Sequence, residues 1–252
     1  MNRSNEMTKQ YLSDAGITEG MRVMELGCGK GDVTQIIAEL VGPTGCICAT
    51  DYNKNMLTET KQAMTSKGFN GLSVACINLN GDIETLYERK LGLFDAIVCR
   101  RVLMYLTSPS QSMRKLSALL TDRGVFIAEE ADLNMVPASV VPFPARNKAN
   151  EYIKSMLLAE KASITMGFDL PNVFDVAGYS VEGIRAHAVI EGQGLQFDLE
   201  QMLPLLSTRL QNLSIANNQE IENLVNELTV EKKRTDAVYI SGMSFCAWGR
   251  RK

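Results

Sequence analysis

Val23-Met24-Glu25-Leu26-Gly27-Cys28-Gly29-Lys30-Gly31 carries an apolar strand straight into three glycines at alternate positions, and helix-forming residues resume at Asp32. Glycine accepts positive φ and lets a ligand approach the main chain where a Cβ would collide. A helix starting near Asp32 offers unpaired amides at its positive end. The stretch therefore reads as a nucleoside-binding strand, turn and helix, and its spacing bears on which nucleoside. A dinucleotide fingerprint runs G-x-G-x-x-G so that pyrophosphate rests on the helix start. Here the run is G-x-G-x-G, and Asp32 stands where the third dinucleotide glycine belongs. A carboxylate there repels pyrophosphate. Asp51 follows Cys46-Ile47-Cys48-Ala49-Thr50; a carboxylate at the tip of a second strand can hold the ribose hydroxyls of either ligand, so it does not discriminate between them.

Working outward, strand-like runs at 21–26, 45–50, 72–77, 94–99 and 124–130 alternate with helical stretches at 31–41, 54–66 and 109–120. Such alternation predicts a parallel sheet with helices on both faces. Right-handed crossovers make the first strand central and gather ligands at the carboxyl ends, where the strand order reverses. Beyond Glu130 the pattern changes. Pro137, Pro142 and Pro144 interrupt regular structure, and a mostly helical stretch follows to about residue 176. Strands are expected at 180–191 and 237–248, separated by two helices within 198–233, where Leu203, Leu206, Leu210 and Leu213 keep helical spacing.

The motifs keep their order along most of the chain. After Glu25 to Gly31 come Asp51, then Gly81-Asp82-Ile83, then Leu93-Phe94-Asp95-Ala96-Ile97-Val98-Cys99 and Arg100-Arg101-Val102-Leu103-Met104-Tyr105-Leu106. In this the sequence resembles the class I S-adenosylmethionine-dependent methyltransferases of the bacterial small-molecule type. Leu119-Leu120-Thr121-Asp122-Arg123-Gly124 is similar to the family's L-x-P-G-G turn, with Asp122 and Arg123 in place of the proline and first glycine. That departure alters a turn and leaves the cofactor positions alone.

The resemblance implies an α/β, Rossmann-like, doubly wound seven-stranded sheet, mostly parallel with an antiparallel edge strand, and a helical cap formed by insertions. The domain plan that follows is a helix over the cofactor site in 1–20, a cofactor-binding core in 21–132, a cap or substrate segment in 133–178, and edge strands in 179–252 with the 198–233 insertion. A dimer interface or core packing is the other reading of that insertion. The implied cofactor is S-adenosyl-L-methionine, and the implied reaction moves its methyl group by in-line displacement to nitrogen or oxygen of a small organic acceptor. Gly27, Cys28, Gly29 and Gly31 would pass under the methionine moiety and ribose, with Glu25 ordering the amino group. Asp51 would accept the ribose hydroxyls, Tyr52 and Met56 would cover adenine, and Asp82 and the Ile83 amide would meet its edge. Arg100 would turn its carbonyl to the cofactor amine. No catalytic residue is fixed by the pattern, and three are candidates. Glu130, adjoining Glu129 at the end of strand five, could hold an amine or accept a proton, or be a surface charge. Tyr11 could close over the cofactor or pack on the sheet. His187, the sole histidine, could act as a base or be an ordinary edge-strand residue.

Composition bounds the alternatives. At 252 residues, 45% hydrophobic and 22% charged, the chain can bury one substantial core, with or without a cap. A net charge of −3 lacks the basic footprint of nucleic-acid binders. No apolar run approaches a membrane span of about 20 residues, and residues 1–18 read as polar rather than as a secretion signal, so a cytoplasmic protein is expected. Six cysteines without a C-x-x-C pair predict neither disulfides nor a metal site. An NAD-dependent oxidoreductase lacks Tyr-x-x-x-Lys, and a hydrolase lacks G-x-S-x-G. The rival of another class is a catalytically silent S-adenosylmethionine-binding or interaction protein. A small-molecule substrate is expected, with no nucleic-acid or membrane partner and with a homodimer as an option.

Overall fold

The computed structural model describes residues 3–135, 138–192 and 199–252. Of the segments expected above, residues 1–2, 136–137 (with the Pro137 break) and 193–198 lie outside the described residues. The helices are α1 (Arg3–Asp14), α2 (Asp32–Val41), α3 (Lys54–Ser66), α4 (Thr85–Glu88), α5 (Pro109–Leu116), α6 (Pro144–Ala159), α7 (Met166–Ala177), α8 (Leu199–Asn212) and α9 (Asn218–Glu231). The strands are β1 (Arg22–Leu26), β2 (Cys46–Asp51), β3 (Leu72–Cys76), β4 (Phe94–Arg100), β5 (Leu120–Asp132), β6 (Ala138–Ser139), β7 (Tyr179–Glu191) and β8 (Tyr239–Arg251). They order as β3-β2-β1-β4-β5-β8-β6, with β7 on β8. β1 pairs in parallel with β2 and β4, β2 with β3, and β4 with β5. This is the doubly wound α/β sheet that the alternation predicted.

The chain divides into two compact units, Met1–Glu130 with Met166–Ala186 and Ser244–Lys252 in the first, and Ala131–Thr165 with His187–Met243 in the second. In the first unit, α2 buries Val33, Ile36, Ile37 and Val41, the i, i+3, i+4, i+8 stripe that lets one helical face meet a sheet. That stripe joins Val23 of β1, Ile47 of β2, Val98 of β4 and Ile127 of β5 in one core, with Tyr11 and Leu12 of α1. Elsewhere in this unit Phe126, Phe174 and Tyr179 meet edge-to-face, with centroids 5.7 to 5.9 Å apart, the arrangement ring quadrupoles favour.

In the second unit, α9 opens with a capping box in which Asn217 and Glu220 each satisfy the other's amide. Glu231, at the opposite end of α9, accepts the Ala145 and Arg146 amides at 2.7 and 3.1 Å, so it caps the first turn of α6. Arg146 is buried in an ion pair with Glu191 and lies over the Tyr239 ring at 4.4 Å.

Three boundaries differ from the sequence reading. Among the described residues the sheet has eight strands rather than seven, because the two-residue β6 pairs antiparallel with β8, Ala138 with Ile240 and Ser139 with Tyr239; two residues carry no readable period. β5 begins at Leu120 instead of 124. Leu120 pairs with Phe94 and Val125 with Ala96, so Thr121 to Gly124 stand opposite Asp95 alone, an irregularity that interrupts the alternation on which the expectation rested. Finally, α7, which falls within the 133–178 segment of the sequence reading, belongs to the first unit.

Candidate active site

Chain order reverses between β1 and β4, so the crevice of this fold lies beyond their carboxyl ends. The register aligns those ends: Leu26 pairs with Thr50 and with Cys99, and Asp51 with Cys76. Gly27 to Gly31, Asp51 to Met56, Ile77 to Ile83 and Arg100 to Leu103 therefore leave the sheet from neighbouring strand tips.

The glycine loop holds the conformation its residues permit. Gly27, Gly29 and Gly31 have φ of +66°, +53° and +90°, and Gly31 is the N-cap of α2 with no side-chain cap. A Cβ on Gly27 would come within 2.5 Å of Val102 Cγ2, whereas one on Gly29 would meet nothing within 4 Å. The Cys28 amide donates to the Thr50 carbonyl at 2.9 Å, and the Gly29 amide donates to Asp51 Oδ2 at 3.0 Å. The other Asp51 oxygen accepts the Asn53 amide at 2.8 Å. Thr60 of α3 donates to the Gly29 carbonyl at 2.8 Å. The loop is thus tied to β2 and α3, with its open side at Gly29.

The remaining expected contacts are distributed around this loop. Tyr52 is 78% exposed, an aromatic face left in solvent directly beyond Asp51, and Met56 lies half-buried in the first turn of α3. Asp82 is exposed and Ile83 buried, in a turn closed by the Asp82 amide donating to the Asn78 carbonyl at 2.8 Å. Cys28 is buried, and burial first, then the nearby Glu25, pushes its thiol up to about 12. It is a packing residue of the loop, without thiolate reactivity at neutral pH.

Glu25 is 2% exposed and accepts the Thr34 hydroxyl of α2 at 2.6 Å. Burial pushes its carboxyl up to about 7, with Asp51 and Asp32 adding to the rise and the Thr34 hydrogen bond and Arg100 opposing it. The folded chain therefore keeps a proton that an unfolded glutamic acid, near 4.5, releases. Stability from this group is present in full below the unfolded value and lost as pH rises through the folded one. Glu25→Gln keeps the hydrogen bond to Thr34 and removes the titration. Thermal denaturation should show it matching wild type at acidic pH and melting at least as high above the folded value. A lower melting temperature on the alkaline side would show the ionised carboxylate to be stabilising.

Arg100, Glu129 and the N-terminal helix form a polar cluster that the sequence did not disclose. Arg100 Nη1 donates to Asn5 Oδ1 at 2.9 Å and to Thr8 Oγ1 at 3.0 Å. The Thr8 hydroxyl donates to Glu129 Oε2 at 2.7 Å, and the Ser244 hydroxyl to Glu129 Oε1 at 2.9 Å. α1, β4, β5 and β8 are joined through one buried carboxylate. Tyr11, 1% exposed, packs in the core of the first unit, and burial raises its phenol above the ordinary value. Glu130 is fully buried, its Oε1 taken by the Val102 and Leu103 amides. His187 is exposed on β7, in the second unit. Among the described residues no group of three or more His, Cys, Asp or Glu side chains could hold a metal ion, and the six cysteines are free thiols.

Comparison with known proteins gives the family. The family of the methyltransferase domain matches residues 17–178, more than half of the chain, and the chain belongs to that family. It is a class I, S-adenosylmethionine-type methyltransferase fold. The chain is 25% identical to the ubiquinone/menaquinone biosynthesis C-methyltransferase UbiE of Francisella philomiragia over 129 residues, 51% of this chain and 50% of that one. The protein of the same name from Pseudoalteromonas translucida is 25% identical over 179 residues, 71% of this chain and 65% of that one. The chain thus spans about half to two thirds of the length of these curated relatives. Coclaurine N-methyltransferase, solved with N-methylheliamine and SAH, superposes with a TM-score of 0.60 at 15% identity over 98% of this chain and 70% of that one, a likeness of fold.

Proposed function

We propose that this chain is an S-adenosylmethionine-dependent methyltransferase whose acceptor is a small organic molecule. The observation that carries the reading is the glycine loop itself: three positive-φ glycines, hung from Asp51, with open space above Gly29. A nucleoside with a short chain fits such a floor, and the exposed Asp32 beside it disfavours a pyrophosphate.

The residues fit the cofactor as follows. Asp51 would accept the ribose hydroxyls with lone pairs not used by the Gly29 and Asn53 amides. Tyr52 and Met56 would cover the adenine ring, and Asp82, whose carboxylate is exposed, would accept its exocyclic amine. Asp51 lends negative potential to a floor that meets a cation. When bound, the cofactor supplies an activated methyl group on a positively charged sulfur. The chain's own contribution is alignment and exclusion of water, of which alignment alone is worth on the order of 7–11 kcal/mol in favourable cases. Glu129, Glu130 and Tyr11 are enclosed, and no dedicated base among them is part of the proposal.

The curated relatives are named for carbon methylation in quinone biosynthesis, which adds carbon to nitrogen and oxygen as acceptor atoms. No helix among the described residues is long and apolar enough to cross a membrane, and six free thiols suit a reducing compartment. The test is transfer of labelled methyl from S-adenosylmethionine by the purified chain to a panel of quinols, phenols and amines, read by mass spectrometry. Labelled product is the expected result. Tight cofactor binding with no transfer to any acceptor would instead favour the silent binding protein.

A further inference from the structure

Glu130 has no role in the proposed function, yet its surroundings give it one. It is the last residue of the first unit's share of β5, with no exposed surface. Its Oε1 accepts two consecutive amides, Val102 at 2.9 Å and Leu103 at 2.7 Å. The turn so held begins at Arg101, which has φ of +57°, a left-handed conformation that costs a residue with a Cβ roughly 1–2 kcal/mol and persists only where its surroundings impose it. The Arg101 amide in turn donates to the Glu129 carbonyl at 2.8 Å. Val102, the first residue on the clamp, is the residue that a Cβ on Gly27 would strike. One carboxylate oxygen therefore fixes the peptide planes of the segment that walls the glycine loop. Bonds from amides to an ionised acceptor are about twice as strong as neutral ones.

Resting on the methyltransferase reading, we propose that Glu130 is a positioning residue for the methyl-donor crevice: it sets the 101–103 turn against Gly27 and so fixes the shape the cofactor meets. It acts through Val102 and does not touch the acceptor. The charged and titratable groups whose fields reach it are Arg101, the neighbouring Glu129 on the opposite face of β5, and the buried Cys99 of β4. Burial pushes the Glu130 carboxyl up to about 8, opposed by the two amides and Arg101 and aided by Glu129. Its Oε2 is buried with no hydrogen-bond partner among the described residues, so the proton resides there when the group is neutral, and Oε1 then accepts as an uncharged carbonyl. The clamp tightens as pH rises through the Glu130 value and the carboxylate forms.

The test is the Kd of S-adenosylhomocysteine by calorimetry for wild type, Glu130→Gln and Glu130→Ala on both sides of that value. The glutamine keeps an acceptor oxygen, so on the acidic side its affinity should lie within roughly threefold of wild type. On the alkaline side wild type should gain severalfold over Glu130→Gln; titration of the ligand is common to both proteins and cancels in the ratio. Glu130→Ala should bind at least about tenfold more weakly throughout, with the Val102 and Leu103 amides losing protection from hydrogen exchange while the rest of the sheet keeps it. Should the alanine variant fail to fold, the ratio of wild type to Glu130→Gln still decides. A ratio that does not move with pH, or wild-type affinity in Glu130→Ala, overturns the proposal. Absence of binding to wild type at every pH would instead overturn the methyltransferase reading.

Discussion

Asp51→Ala is expected to weaken binding of S-adenosylmethionine at least tenfold, equivalent to about 1.4 kcal/mol, and the structure gives two reasons for the loss to exceed that floor. The carboxylate would accept the ribose hydroxyls, and it also carries the loop, because its two oxygens hold the Gly29 and Asn53 amides at 3.0 and 2.8 Å. Asp51 is 8% exposed, so removing it leaves those amides without an acceptor in a place water reaches poorly, a loss of about 1–3 kcal/mol for each unsatisfied group. Asp51→Asn separates the two roles. One amide oxygen remains for the loop, but the second position becomes a donor and cannot accept from a hydroxyl. Its affinity should fall between wild type and the alanine variant. Calorimetry that finds Asp51→Ala binding as wild type does would remove the ribose assignment. Crystals soaked with both S-adenosylmethionine and a nicotinamide dinucleotide give the complementary check, with the first expected in the crevice.

The parts of this site that could be read in the sequence are those set by local chemistry. Alternate glycines after an apolar strand announced a loop of positive φ, and all three take it. The helix start at Asp32 and the carboxylate at the end of β2 followed from composition and alternation. What could not be read are partners brought together by the fold. Thr60 reaches the Gly29 carbonyl across 31 residues, Glu130 the Val102 amide across 28, and Thr8 the Glu129 carboxylate across 121. A periodic pattern says which face of an element is buried and is silent on what lies opposite. Glu129 and Glu130 make this plain. Strand alternation required them to face opposite ways, and they do, one toward Thr8 and Ser244, the other toward Val102 and Leu103. That both are sealed from solvent depends on α1 and on the 101–103 turn, neither of which alternation describes. The motif draws attention to the Arg100 carbonyl, whereas its side chain forms the tie to α1.

Gly27→Ala and Gly29→Ala should fail in different ways, although both glycines belong to one motif. At Gly27 the new Cβ would lie 2.5 Å from Val102 Cγ2 at φ of +66°. Left-handed strain of roughly 1–2 kcal/mol adds to overpacking of about 1–3 kcal/mol against the half-buried Val102 side chain. The expected result is a markedly lower melting temperature together with loss of cofactor binding. At Gly29, φ of +53° brings the same strain, but nothing lies within 4 Å of the added carbon, so the fold should lose only about the strain itself. Cofactor binding should nevertheless fail, because the methyl group would project into the space left for the ligand. Thermal denaturation paired with calorimetry on each variant separates the two. Val102→Ala in the Gly27→Ala background supplies the control: it removes the atom struck, so the pair should recover part of the lost stability and show a coupling energy of about 0.5–3 kcal/mol. Additive losses would mean that Val102 yields to the new carbon without resistance, and the turn that Glu130 holds would then not be the rigid wall of the crevice.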